Sequence, residues 1–160
     1  MKERHKAVPA SYLILRRGEE ILLMLRQNTG YYDGWYTLPS GHVEERELPI
    51  DGLLRETREE VGLNLARSSV RHIHTMYRIR HDETGERADY FFEVTHWEGE
   101  PTNVELDKCV SIGWFSLKNL PVNLMHHVRD ALSAIERHES YSEIGPDKLV
   151  RNPSLTSFST

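Results

Sequence analysis

Three carboxylates crowd one short stretch, Arg55-Glu56-Thr57-Arg58-Glu59-Glu60-Val61-Gly62. A helix turns about 100° per residue, so Glu56, Glu59 and Glu60 fall within an arc of roughly 100°. They lie along one edge of an inward stripe of Ile50, Leu53, Thr57 and Val61, with Arg55 and Arg58 placed to the other side. The arrangement is unfavourable for a helix built only for stability. Glu56 and Glu60 are like charges one turn apart, a cost of about 0.2–0.5 kcal/mol. Glu59 and Glu60 also oppose the helix dipole, at about 0.3–1 kcal/mol each in low salt. The compensating pair, Arg55 with Glu59, runs in the weaker order, acid C-terminal. From this stretch alone two readings stay open. One is a solvated, charged surface helix. The other is a site for a hard divalent cation such as Mg²⁺, which binds clustered carboxylates and keeps waters for a substrate phosphate.

The elements that must position these groups read as follows. Residues 50–61 form a helix with Ile50, Leu53, Leu54, Thr57 and Val61 in period, weakened slightly by Gly52 and stopped by Gly62. Residues 12–27 make two strands that turn at Arg17-Gly18, and 28–39 make a loop marked by two glycines and Pro39. Strands are expected over 69–80, 88–99 and 109–117, with a hairpin loop at 81–87. A second helix spans 123–138, its apolar face made by Leu124, Val128, Ala131, Leu132 and Ile135. Strands outnumber helices and a helix divides them. The class is α/β or α+β, with a mixed sheet between helices. Residues 8–140 are expected to be one domain, 1–7 a flexible N-terminus and 141–160 a tail.

The totals narrow the function classes. The chain has 160 residues, 38% hydrophobic and 28% charged, with a net charge of −5. That is enough for one real core, and it offers no broad positive surface for a nucleic-acid polymer. Cys109 is the one cysteine, so no intrachain disulfide forms, which fits a reducing, cytoplasmic setting. No apolar run approaches a membrane span, and "MKERHK" does not read as a signal peptide.

The stretch "LPSGHVEERELPIDGLLRETREEVGL" widens the pattern: Gly41, Glu47, Arg55, Glu56, Glu59, Glu60 and Gly62 stand in G-x5-E-x7-R-E-x-x-E-E-x-G spacing, followed by Leu63. This resembles the Nudix box, the signature of the Nudix hydrolase superfamily, with every polar and glycine position matched. The resemblance extends over residues 8–140. Three positions depart from it. Thr57 replaces an aliphatic residue, Ser40 stands where a first glycine is usual, and Arg46 stands where a glycine is common in the turn before Glu47.

The resemblance implies a metal-dependent hydrolase that splits the diphosphate bridge of a nucleoside diphosphate linked to another group. It implies Glu56, Glu59 and Glu60 as ligands of Mg²⁺, or Mn²⁺, with one of them a general base. Arg55 would orient a glutamate, Glu47 would brace Arg55, and the Ser40 carbonyl would be a further ligand. Family members often add an acid on a later loop; Glu105 is preferred here over Asp107. Substrate contact is less readable. Tyr31, Tyr32, Trp35 and Tyr36 share one loop and strand start, and of these Tyr32 and Trp35, with Arg26, are the candidates carried forward. Arg78 is a second candidate for phosphate, weighed against a surface strand position. His72 and His74 read as a partly exposed sheet face, His126-His127 as no metal pair, and Cys109 as core packing. The expected partner is a small nucleotide-derived substrate, and the chain a monomer or homodimer. A nucleoside triphosphate or modified nucleotide is favoured over ADP-ribose. Two alternatives keep the fold: a nucleotide-sensing domain without catalysis, against which the acids of the box are intact, and a diphosphate isomerase, for which Cys109 lacks a supporting motif.

Overall fold

The computed structural model describes residues 1–79 and 85–146. Parts of two expectations therefore lie outside the described residues: most of the 81–87 loop, and the tail from 147 onward. The strands are β1 (Val8–Arg17), β2 (Glu20–Arg26), β3 (Tyr36–Thr37), β4 (Ser40–His42), β5 (Arg71–Arg78), β6 (Arg87–Val94), β7 (Cys109–Ser116) and β8 (Tyr141–Ile144). The helices are α1 (Pro49–Val61) and α2 (His126–Glu136), with a short 3-10 turn at Arg67–Ser69. Among the described residues no helix is long and apolar enough to cross a membrane.

The sheet is mixed and built around β1. Over Val8–Leu15, β1 runs parallel to β6, while its other edge takes β4 antiparallel at Ala10–Tyr12. Only its last residues, Arg16 and Arg17, pair with β2. β2 then carries β7 on one side and β3 on the other. The period-two alternation of β1 sorts the core. Ala10, Tyr12 and Ile14 face α2 and pack with Leu23, Phe91, Val128 and Leu132. Leu13 and Leu15 face α1 and pack with Leu22, Leu53, Val61 and Phe92. The sheet thus lies between the helices, as the sequence implies. A strand covered on both faces reads as a continuous apolar run, which is why "YLILRR" and "ILLML" contain so little polarity.

The edges differ from expectation. β8 lies beyond the 8–140 boundary and adds a parallel strand to β5. His74 secures it. The imidazole is fully buried, with Nδ1 2.8 Å from the Glu139 carbonyl and Nε2 2.7 Å from Ser142 Oγ. His72 is exposed, because a register shift separates the two residues. The shared, partly exposed face read for this histidine pair is therefore corrected. β3 and β4 fall within and just after the expected loop, too short for a periodic signal. Residues 1–7 carry no regular structure, though His5 Nε2 reaches Glu86 at 2.8 Å.

Two departures in the box have local consequences. Arg46 adopts φ 63°, the left-handed conformation that glycine takes without steric cost. Thr57 sits at 1% exposure with its Oγ1 unpartnered. A buried hydroxyl without a partner costs about 1–3 kcal/mol. Thr57→Val should therefore stabilise the protein by about 1–2 kcal/mol, or roughly 2–4 °C in Tm per kcal/mol for a domain of this size. Thermal unfolding of the two proteins side by side checks this.

Candidate active site

Helix α1 presents its acids from an inward position. The buried residues Leu53, Thr57, Glu60 and Val61 form one stripe, so Glu60 lies within the core-facing surface and not beside it. Gly62 closes the helix at φ 70°, its N–H donating to the Arg58 carbonyl. The last turn's orphan carbonyls are met from a distant loop: Thr102 N–H donates to Val61 and Val104 N–H to Glu60. Those two bonds bring Glu105 to the acidic end of the helix. Gln27 and Asn28 hold the same loop through the Leu106 and Asp107 carbonyls.

Glu56, Glu59, Glu60, Glu105 and Ser40 line one cavity of about 600 Å³, together with Arg26 and Arg55. Glu60 is 9% exposed and accepts the Ser40 N–H at 3.0 Å. Burial, then the negative charge of Glu56, push its carboxyl well above the usual range. Burial likewise raises Glu56, opposed by Arg55. The charge of Glu105 adds to both shifts, which places it as a member of the cluster. Cys109 also lines this cavity; burial raises its thiol, consistent with packing and not with a nucleophile.

Arg55 points into this group, correcting the wheel position that set it on the other side. Its guanidinium grips Glu47 with both arms, Nε to Oε2 at 2.8 Å and Nη2 to Oε1 at 2.9 Å. Nη1 donates to Glu56 at 2.8 Å and to Glu59 at 3.4 Å, and Nη2 reaches the His42 carbonyl at 3.2 Å. The Arg55 hydrogen bonds hold the Glu47 carboxyl down at about 2. Glu47 also accepts the Glu44 N–H, so the loop, the arginine and the helix form one clamp. Two glycines make room. A Cβ on Gly52 would lie 2.8 Å from Glu47 Oε1, and one on Gly41 would lie 2.1 Å from Glu56 Cδ. The Gly52 that weakens the helix signal is thus required by the clamp.

The carboxylates suit a hard divalent cation: they are oxygen donors, acidic, in one cavity, and the buried one, Glu60, is offset by the Ser40 N–H and the charge of Arg26. Among the described residues no three His, Cys, Asp or Glu side chains are gathered as a ready-made ion cage. Arg55 occupies Glu56 and Glu59, so a cation would compete with it for them. Glu105→Gln should weaken Mn²⁺ affinity and turnover together by about 10-fold or more. Unchanged values of both would remove Glu105 from the cluster. Asp107 does not line the cavity.

A second cavity, about 520 Å³, shares Arg26, Thr37, Ser40, Glu44 and Glu56 with the first and continues to Tyr12, Tyr31, Arg78 and Arg87. Arg26 stands at the junction, its Nε on the Tyr31 carbonyl at 2.9 Å and Nη2 on Thr29 Oγ1 at 3.0 Å. The aromatic assignment changes. Tyr32 is 1% exposed, its backbone at φ 52°, and its ring meets Tyr31 and Trp35 edge-on in the core. Trp35 packs 5.0 Å from His126. Neither lines either cavity; Tyr31 does. Tyr12, Arg87 and Asp89 were not singled out by sequence. Tyr12 sits within the apolar run of β1, and Arg87 and Asp89 alternate along β6 toward a face that proves to be buried.

Comparisons with known proteins bear on the family and the fold. A model of the NUDIX domain matches residues 4–135. An 8-oxo-dGTP diphosphatase from Proteus vulgaris is 26% identical over 103 residues, 64% of this chain and 88% of that protein. The crystal structure of a MutT NUDIX hydrolase from Burkholderia pseudomallei superposes with a TM-score of 0.72 at 28% identity, covering 81% of this chain and 98% of that one. A MutT protein from Methanosarcina mazei Go1 gives a TM-score of 0.72 at 19% identity, over 85% and 97% of the two chains, and so speaks to the fold alone.

Proposed function

We infer from one premise, that the chain belongs to the Nudix hydrolase family and acts on phosphoric anhydride bonds, that its acidic cavity is a Mg²⁺-dependent pyrophosphohydrolase site for a nucleoside triphosphate or a modified nucleotide. The observation that carries the reading is the convergence of Glu56, Glu59, Glu60 and Glu105 on one cavity, with Glu60 buried and crowded by the charges of Glu56 and Glu105. The Proteus vulgaris relative, named for a diphosphatase reaction on a nucleoside triphosphate, supports that substrate class over ADP-ribose.

Glu56, Glu59, Glu60, Glu105 and the Ser40 carbonyl would hold the metal, with Mn²⁺ able to replace Mg²⁺. When bound, such an ion neutralises the diphosphate and polarises the attacked phosphorus and the leaving phosphate. The chain's own residues do the rest. Glu56 lines both cavities and is the carboxylate we assign as general base; burial lifts its carboxyl above the ordinary range, opposed by Arg55. It takes one proton from water as the water oxygen bonds to phosphorus. The bridging P–O bond breaks, and the electron pair leaves with the departing phosphate. Arg55 fixes the Glu56 carboxylate, and Glu47 fixes Arg55. Arg26, which lines both cavities, would meet the phosphates.

The test is product release across a panel of canonical and oxidised nucleoside triphosphates, ADP-ribose, dinucleoside polyphosphates, nucleotide sugars and NADH, with Mg²⁺ and with Mn²⁺. A strong metal-dependent hit among the triphosphates, lost in Glu59→Gln, is the expected result. Silence across the panel while nucleotide still binds would replace catalysis by sensing.

A further inference from the structure

Glu105 reaches the acidic end of α1 from a segment with little apolar burial. Val104 and Leu106 on either side of it are 52% and 70% exposed, and Asp107 and Lys108 are exposed as well. A surface segment of this kind opens readily unless hydrogen bonds hold it. Within it, the Lys108 and Cys109 N–H groups both donate to the Glu105 carbonyl, at 3.0 and 2.9 Å, and close one turn. Ahead of the turn, the Val104 N–H ties the chain to the Glu60 carbonyl.

The other side of the turn is held from the end of β2. Gln27 Nε2 donates to the Leu106 carbonyl at 2.8 Å, and Asn28 Nδ2 to the Asp107 carbonyl at 3.0 Å. The Gln27 N–H donates to the Lys108 carbonyl at 2.9 Å. Two neighbouring residues thus engage the three consecutive carbonyls that follow Glu105. The local backbone is shaped for this. The pairing of β2 with β7 shifts register between Leu25 and Arg26, and such irregularities re-aim the residues beside them. Asn28 itself adopts φ 54°, a region asparagine enters more readily than most side chains.

Both amide bonds lie at the surface and join residues 79 positions apart. Water would satisfy the same carbonyls, so the net gain in stability is small. What the bonds add is position. Gln27 does not line the acidic cavity, whereas Glu105 does. We propose that Gln27 and Asn28 are positioning residues: they fix the turn that carries Glu105 against the α1 carboxylates, and so set the affinity for the cation. This rests on the reading above in taking Glu105 as a ligand of that cation.

Mn²⁺ titration of the full chain, followed by electron paramagnetic resonance, tests it without turnover. Gln27→Met keeps the side-chain length and loses the donor. Asn28→Gly keeps the left-handed backbone and loses the donor. Each should weaken Mn²⁺ binding by about 10-fold, the lower end of the cost of losing a group that orients a ligand. Melting temperature should stay close to wild type. Added to Glu105→Gln, Gln27→Met should weaken binding by less than about 2-fold further, because no ligand is left to position. In the hydrolysis assay, Gln27→Met should raise the Mg²⁺ concentration for half-maximal rate by about 10-fold and leave the rate at saturating Mg²⁺ within about 2-fold. Asn123→Ala removes a like surface bond, from Nδ2 to the Gly34 carbonyl at 2.9 Å, and should leave Mn²⁺ affinity unchanged. Unchanged affinity in both Gln27→Met and Asn28→Gly would overturn the proposal alone. So would equal losses from Gln27→Met with and without Glu105, or a loss of the same size in Asn123→Ala. A wild type that binds no Mn²⁺ would overturn it together with the metal site. A silent hydrolysis panel with the Mn²⁺ losses as expected would overturn only the catalytic reading.

Discussion

Glu60→Gln raises the melting temperature of the metal-free protein and lowers kcat/KM by about 10²–10³-fold, the loss typical of one prepositioned charged group. Both effects come from the same burial. Glu60 is 9% exposed, lies against the charge of Glu56, and accepts the Ser40 N–H. A buried carboxylate so placed is costly in the free protein. Glutamine keeps an oxygen for the Ser40 N–H and removes the charge. Its pH dependence is distinctive. The folded-state carboxyl lies well above its unfolded value near 4.5. The protonated form is therefore the one folding favours, and Glu60 contributes stability below pH 4.5 that is lost as pH rises through the folded pKa. Glu56 shifts in the same direction. Glu47, held at about 2, acts oppositely, contributing stability above 4.5 that is lost as pH falls toward 2. Melting curves of wild type and Glu60→Gln from pH 4 to 8, without metal, should diverge as pH rises. Parallel curves would mean that Glu60 is not a buried charge.

Gly41→Ala should separate activity from stability. A Cβ there would stand 2.1, 2.2 and 2.5 Å from three atoms of the Glu56 side chain. The Glu56 side chain is flexible, so the fold accommodates the methyl by turning the carboxylate aside. Melting temperature should hold nearly constant. Turnover should not, because Glu56 is the assigned base and a displacement of about 1 Å in a reacting group costs about 10²-fold. Loss of the Arg55 contact at 2.8 Å would free Glu56 further. Circular dichroism melts and initial rates on one triphosphate decide the matter. A variant with normal turnover would show that Glu56 is not held where the chemistry occurs.

The acids of α1 stood out because their spacing is unfavourable for helix electrostatics, and the wider box spacing then favoured a site over a solvated charged face. The strands β1 and β2 were legible because two-sided burial leaves an uninterrupted apolar run. The direction of Arg55 was not. A helical wheel locates Cβ, and a long guanidinium side chain reaches back across the helix surface to Glu47 and Glu56. Glu105 and Asp107 were both candidates from their place before a strand, with Glu105 preferred, but the bonds that bring Glu105 in, from Thr102 and Val104 to the end of α1, are backbone contacts with no residue signature. The choice of Tyr32 over Tyr31 failed because the left-handed backbone at Tyr32 turns its ring inward, and no composition rule places positive φ on a tyrosine. β8 escaped notice because four residues on an edge, secured by His74 and Ser142, carry no periodicity. Arg78 and Arg87 look alike in sequence to any exposed strand position; only the register that sets them opposite each other reveals the pair.

Direct Mn²⁺ titration followed by electron paramagnetic resonance tests whether the α1 carboxylates hold a divalent cation. Wild type should bind Mn²⁺, with Mg²⁺ in competition, and Glu59→Gln and Glu60→Gln should each weaken binding by about 10–100-fold. Binding of equal strength in all three proteins, or none in the wild type, would contradict it.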